Sequence, residues 1–342
     1  MNIQEYVLKN DPQNQFNVLI NTFKQVESAW NNKIDFGTLI GKKYNSIVVT
    51  GLGGSAISAD LMTNFLGSEL IIPFVVNRNY NLPGFADKNT LLIVSSYSGN
   101  TEETISVLND GINKKCNIIC VTTGGIIEKT ALQNSIPVVK VTPGIQPRYS
   151  LGLSFFSLLK ILQELDIIAS QDIIVSKIIK LWKNKGVQLS NESNNAIDIA
   201  RGLIGFIPVI YSAVEVTSAI GYRLKCQFNE NSKLHAFHNV IPELNHNEII
   251  GWESFQEKQF NTKLILILDK SYHPQILKRF EITASLISCD KIYLESKEED
   301  FKLRVMDLIY LGDWISYYLA ILRGFDPSEI ENINILKEKL SK

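Results

Sequence analysis

An α/β fold of doubly wound parallel sheets is what this sequence predicts, and three observations carry the expectation. Short apolar, β-branched runs recur at strand length, helical patterns separate them, and two strand-to-helix turns are rich in glycine and hydroxyl side chains. At 342 residues the chain exceeds one ordinary core, so two domains are expected.

Residues 1–40 read as a helical lead-in, with Phe16, Leu19, Phe23 and Val26 at three-to-four spacing. From 41 to 160 strand and helix alternate. NSIVVT is followed by GLGGS and a helix through SADLMTNFL, and LIIPFVV runs into a loop marked by Pro83 and Gly84. LLIVS opens into SSYSGNT and its helix, CNIICV leads to TTGG and a helix, and PVVKV ends at Thr142-Pro143-Gly144. Five such strands with helices between them make one doubly wound sheet. QPRYSLGLSFFSLLKILQEL resumes as a long apolar helix, and 161–202 reads as a helical linker punctuated by Asn and Ser. A second domain over 203–342 begins at FIPVIYSA, continues through KLILILD and KIYLES, and closes on apolar helices around 303–323 and 328–341. It is a weaker echo of the first.

The bulk numbers exclude several partners. Lys+Arg of 34 against Asp+Glu of 35 leaves a net charge of −1, no field for nucleic acid or an anionic membrane. Cys116, Cys120, Cys226 and Cys289 form no CxxC pair and no disulfide framework, which suits a reduced cytosol. The N-terminus is polar without a signal-peptide apolar region, and no apolar stretch approaches the roughly 20 residues of a membrane span. A cytoplasmic protein is expected.

SSYSGNTEET, residues 95–104, sets Ser95, Ser96, Ser98 and Thr101 at the end of an apolar run and then turns to acids and helix formers. Ser98 and Thr101 are N-cap types, so the stretch is a strand-to-helix turn. The first amides of a helix lack internal partners and carry its positive pole. Hydroxyls and a glycine around that pole make an anion site, most naturally for phosphate. The plainer reading is a well-capped turn. GLGGSA, residues 51–56, matches the G-x-G-x-x-G/A dinucleotide fingerprint, but LIIPFVV ends in Asn77-Arg78 instead of the acid that holds a ribose. Arg78 could face the 2′-phosphate of NADP. Alternatively Gly53, Gly54 and Ser55 let a smaller substrate lie against the helix start, and two adjacent polar turns describe a sugar-phosphate pocket better than a dinucleotide crevice.

The stretch CQFNENSKLHAFHNVIPELNHNE, residues 226–248, holds Glu230, His235, His238, Glu243, His246 and Glu248. HAFH with nearby carboxylates is one possible metal site, although its spacing is far less specific than HExxH. The competing reading is acid–base work. Glu230 follows the helix-patterned EVTSAIGYRLKCQF and so sits near a helix C-terminus, whose negative pole, with partial burial, raises a carboxylate's pKa. His246 lies among turn formers, and a reference pKa of about 6.5 suits a proton shuttle. For any one of these residues the bland alternative is a solvated loop side chain.

Taken in order, GLGGSAI, SSYSGNTEET, PRYSLG, KCQFNENSK and PELNHNEIIGW resemble the bifunctional phosphoglucose/phosphomannose isomerases, members of the sugar isomerase (SIS) domain group of the phosphoglucose isomerase superfamily. SSYSGNT alone marks only an SIS domain; NEN paired with PELNHNE is more specific. The resemblance implies two SIS domains, each a parallel sheet between helices, in a homodimer whose active site lies between domains and subunits. It implies aldose–ketose isomerisation of a hexose 6-phosphate without metal or cofactor. Carried over, Ser96, Ser98 and Thr101 bind the phosphate and Gly54 and Ser55 line the sugar. Glu230 moves the proton between C1 and C2, and His246, from the neighbouring subunit, opens the ring. Arg148 stabilises the enediolate, and Lys337 matches the C-terminal active-site lysine, with Lys339 and Lys342 close by. Three other readings stay open: a non-catalytic sugar-phosphate sensor, the isomerase half of a glucosamine-6-phosphate synthase-like enzyme, and a metal-dependent mannose-phosphate isomerase. The second of these needs an ammonia-supplying domain and an N-terminal cysteine nucleophile, neither of which this sequence offers.

Overall fold

The computed structural model describes residues 2–257 and 261–340. The chain divides into two compact units, one formed by Asn21–Lys180 and the other by Met1–Ile20 with Leu181–Lys342. The expected segments are cut differently. Residues 1–40 are no single lead-in, because the first twenty group with the C-terminal half, and the division near the expected linker falls inside the helix Asp172–Leu189.

In the Asn21–Lys180 unit, all five expected strands form among the described residues: β1 Ser46–Thr50, β2 Phe74–Asn77, β3 Thr90–Ser95, β4 Asn117–Thr122 and β5 Val138–Lys140. They are parallel, in the order β2-β1-β3-β4-β5. Every residue of β1 and β3 is buried, which is why both read as continuous apolar runs instead of alternating ones. Burial raises the Cys120 thiol to about 12 and the Cys116 thiol to about 11, so these serve as small core side chains. Strand order reverses between β1 and β3. The carboxyl ends of those two strands, where GLGGS and SSYSGNT begin, therefore flank the crevice in which such sheets take ligands.

The other unit carries β6 Ile207–Ala213, β7 Phe237–Ile241, β8 Thr262–Leu268 and β9 Lys291–Glu295. They too are parallel, in the order β7-β6-β8-β9, repeating the first sheet without a fifth strand. β7 lies outside the strands that the sequence pattern predicts. It is an edge strand, mostly half-buried, and an edge tolerates the polar His238 and Asn239 that give the segment the look of a loop.

The helix Phe301–Leu322 organises this unit. By length and composition alone it would pass for a membrane span, contrary to the expectation that no stretch would, but it is buried inside the unit. Trp314, Tyr317 and Tyr318 are core side chains. The hydroxyl of Tyr310 donates to the Leu19 carbonyl (2.6 Å), that of Tyr317 to the Asp11 carboxylate (2.8 Å), and that of Tyr318 to the Leu189 carbonyl (2.6 Å). Phe16 meets Trp314 edge-on at 5.4 Å. These contacts tie the first twenty residues to this helix, while Val26 is buried in the other unit.

Candidate active site

Three of the singled-out motifs meet in the Asn21–Lys180 unit. GLGGS leads into the helix Gly53–Leu66, SSYSGNT into Glu102–Asn113, and Pro147–Tyr149 forms a single turn before the helix Leu151–Glu164. Ser55, Ser95, Tyr97, Pro147, Ser150 and Ser154 line one narrow recess. A side chain on Gly54 would place its Cβ 2.7 Å from the Pro147 carbonyl oxygen, so glycine is what lets the turn bearing Arg148 approach the GLGGS helix. Arg148 is buried, 6% exposed.

The SSYSGNT turn is not capped as expected. Thr101 occupies the N-cap position, but its hydroxyl makes no cap bond; it pairs with the Ser96 hydroxyl at 3.0 Å. Buried Ser96, half-buried Thr101 and exposed Ser98 surround that helix start, where backbone N–H groups carry the helix's positive pole. Ser98 instead accepts the Asn100 N–H (3.3 Å). The loop after β4 locks the turn from behind. Thr123 donates its N–H (3.0 Å) and its hydroxyl (2.7 Å) to the Tyr97 carbonyl, and Ile127 donates its N–H to the Gly99 carbonyl (3.0 Å). Gly99 has φ +68°, and a Cβ there would lie 1.7 Å from the Gly124 oxygen. Tyr97 donates its hydroxyl to the Thr142 carbonyl (2.9 Å) and accepts the Ile145 N–H (3.0 Å), holding the loop that leads to Arg148. Its hydroxyl gave no signal in the sequence, because its partner lies 45 residues away. Arg78, the NADP candidate, is paired with Asp60 on the GLGGS helix.

The equivalent crevice of the other sheet, past β6 and β8, is filled by protein groups. Arg304 grips buried Asp269 through two bonds (2.7 and 3.0 Å), and the hydroxyls of Thr217 and Tyr272 bond each other. What this unit presents lies elsewhere. The helix Ser218–Glu230 ends at Glu230, as its pattern predicted. Within it Arg223 binds Asp313 through two bonds (3.0 and 2.8 Å) and Gln227 donates to the same carboxylate (2.9 Å), all buried against Phe301–Leu322. Beyond Glu230, Asn231 donates to the Ser316 hydroxyl (2.9 Å), Ser232 to the Ser316 carbonyl (2.7 Å), and the Lys233 ammonium to the Glu230 (2.9 Å) and Asp326 (2.6 Å) carbonyls. Half-buried Glu230 thus ends its helix where the backbone on either side is tied down.

His246 closes the short turn Glu243–His246 that follows β7, and it is exposed. Lys337 and Lys339 lie on the exposed helix Glu331–Leu340; Lys342 lies outside the described residues. Glu230, His246 and Lys337 thus come from three elements. The metal reading of HAFH finds no support: His238 is half-buried with its Nε2 at 2.8 Å from the Ser212 hydroxyl, Glu248 is bonded to Tyr211, and among the described residues no three His, Cys, Asp or Glu converge to hold an ion. Burial, reinforced by the Lys225 charge, lowers the His238 pKa to about 4.

Residues 192–340 match the family model of the bacterial phospho-glucose isomerase C-terminal SIS domain. A solved structure of a hypothetical protein from Thermus thermophilus superposes with a TM-score of 0.75 at 14% identity, covering 99% of this chain and 92% of that one, a likeness of fold. The architecture is therefore that of SIS-domain proteins. A bifunctional phosphoglucose/phosphomannose isomerase of Caldicellulosiruptor bescii is 38% identical, over 87% of this chain and 90% of its own length. One from Aquifex aeolicus is 34% identical, over 87% and 91%. The chain belongs to the bifunctional phosphoglucose/phosphomannose isomerase family.

Proposed function

We propose that this protein is a phosphohexose isomerase, interconverting glucose 6-phosphate with fructose 6-phosphate and mannose 6-phosphate with fructose 6-phosphate. It acts in the cytoplasm as a homodimer in which each subunit lends His246 to its neighbour. The reading is supported by the relatives' printed activities. The observation that carries it is the presence, in one chain, of a hydroxyl-lined helix start at 96–101 and a half-buried glutamate at 230 that ends the helix Ser218–Glu230.

In this reading Ser96, Ser98 and Thr101 take the phosphate, and Gly54 and Ser55 line the sugar. His246 and Lys337 move the protons of ring opening, one from the C1 hydroxyl and one onto the ring oxygen. Glu230 removes the C2 proton from the open aldose and returns it to C1. The charge that arrives on oxygen is met by Arg148, which stays cationic and presents a fork of donors. A binding module would need no base at 230. The deciding assay gives purified protein fructose 6-phosphate and mannose 6-phosphate separately, with EDTA present. Turnover of both is expected; turnover of neither would replace the enzyme with a sugar-phosphate sensor, and loss of activity only on chelation would restore a metal-dependent route.

A further inference from the structure

The loop that carries His246 is held by a set of polar bonds that the reaction itself does not call for. β7 ends at Ile241, and the chain then makes the four-residue turn Glu243–His246 and the one-turn helix Glu248–Gly251. Segments this short have little stability of their own. Yet the residues around His246 are tied down. Leu244 is fully buried, Asn245 donates to the Thr283 hydroxyl (2.8 Å), and Asn247 accepts the Glu248 N–H with its own side chain (2.6 Å). Glu248 is the hub. One carboxylate oxygen accepts the Tyr211 hydroxyl (2.7 Å) and the other accepts the Asn239 amide. The Tyr211 oxygen in turn accepts the indole N–H of Trp252 (2.6 Å), and the two rings meet edge-on at 6.2 Å. Tyr211 sits fully buried on β6, a central strand, so the whole loop hangs from a rigid point of the sheet. His246 itself is left exposed.

We infer that Tyr211, Glu248 and Trp252 form a brace that sets where the His246 imidazole stands, and that they are positioning residues for its proton transfer. The inference rests on the role proposed for His246. Proton transfer needs heavy atoms within roughly 2.6–3.2 Å, so a turn free to drift by an ångström loses rate while substrate binding is spared. Burial, together with the Glu248 carboxylate, raises the Tyr211 pKa, so the phenol remains a donor throughout the working range.

The test is a double-mutant cycle on kcat, with thermal melts to confirm folding. Tyr211→Phe keeps the ring and removes the bond to Glu248; Glu248→Gln is the second variant, should the buried change fail to fold. Each is expected to lower kcat about tenfold or more while KM stays within about twofold. Combined with His246→Ala, neither should lower kcat further, because the brace acts only through that imidazole. A contact that merely stabilised the fold would add its loss to that of His246→Ala. Near-wild-type kcat in both folded single variants, or fully multiplicative losses in the doubles, overturns the brace while leaving His246 in its role. Wild-type turnover by His246→Ala alone overturns the role of His246 and the brace with it.

Discussion

Glu230 is the last residue of its helix, and the bonds made by Gln227, Asn231 and Ser232 leave its backbone little freedom. Glu230→Gln should therefore fold and bind substrate but lose at least about a hundredfold in kcat, the lower range for general acid–base catalysis; near-wild-type turnover in steady-state kinetics removes it as the base. His238 makes the opposite case. Its neighbour His235 and the HAFH spacing suggested a ligand, but parallel pairing of β7 with β6 carries it against Ser212 and Tyr222, where it stays neutral. Folded, its pKa is about 4. Unfolded it is about 6.5, so the unfolded chain binds the extra proton between those values. Above pH 6.5 the group contributes nothing to the pH dependence, and as pH falls toward 4 stability drops by up to about 3 kcal/mol. Melting temperatures of wild type and His238→Gln should accordingly diverge in slope across that window, the wild type falling more steeply.

At the level of elements, the strand-to-helix turn was legible because its signals are local: Ser95, Ser96, Ser98, Gly99 and Thr101 lie between the end of a buried strand and a helix that starts at Glu102. Its rigidity was not, since that comes from the TTGG loop packed behind it. Gly99→Ala puts a methyl into the Gly124 oxygen at a positive φ, and a cost of about 1–3 kcal/mol or more is expected, with a rise in KM for the phosphate ester. An unchanged KM in a folded Gly99→Ala variant would detach the turn from substrate binding. The helix Ser218–Glu230 depends on a buried charge pair in the same way. Asp313→Ala takes the carboxylate from buried Arg223 and should destabilise the protein by about 3–5 kcal/mol in denaturant titration. On the last helix, Lys337 shares a face with Ile333 and Leu340, whereas Lys339, two residues on, points to the other side.

For the whole molecule the proposal makes a prediction that no single-chain property reproduces. If His246 acts in the neighbouring subunit, Glu230→Gln and His246→Ala are each inactive, but a heterodimer of the two holds one complete site. Unfolding and refolding an equal mixture should restore about a quarter of wild-type activity, because half the dimers are mixed and each has one intact site of two. No recovery, with dimers verified by sedimentation, would confine both residues to the same subunit.

Read alone, the sequence determined the α/β class, eight of the nine strands among the described residues, the strand-to-helix turn at 95–101 and the family, because apolar periodicity and turn chemistry are written within a few residues of each other. Tertiary structure alone decided that residues 1–20 belong with the C-terminal half, that a polar segment is an edge strand, and that Tyr211 suspends the His246 loop. These features rest on partners dozens to hundreds of residues apart, and a hydrogen bond between distant residues leaves no period in the chain that makes it.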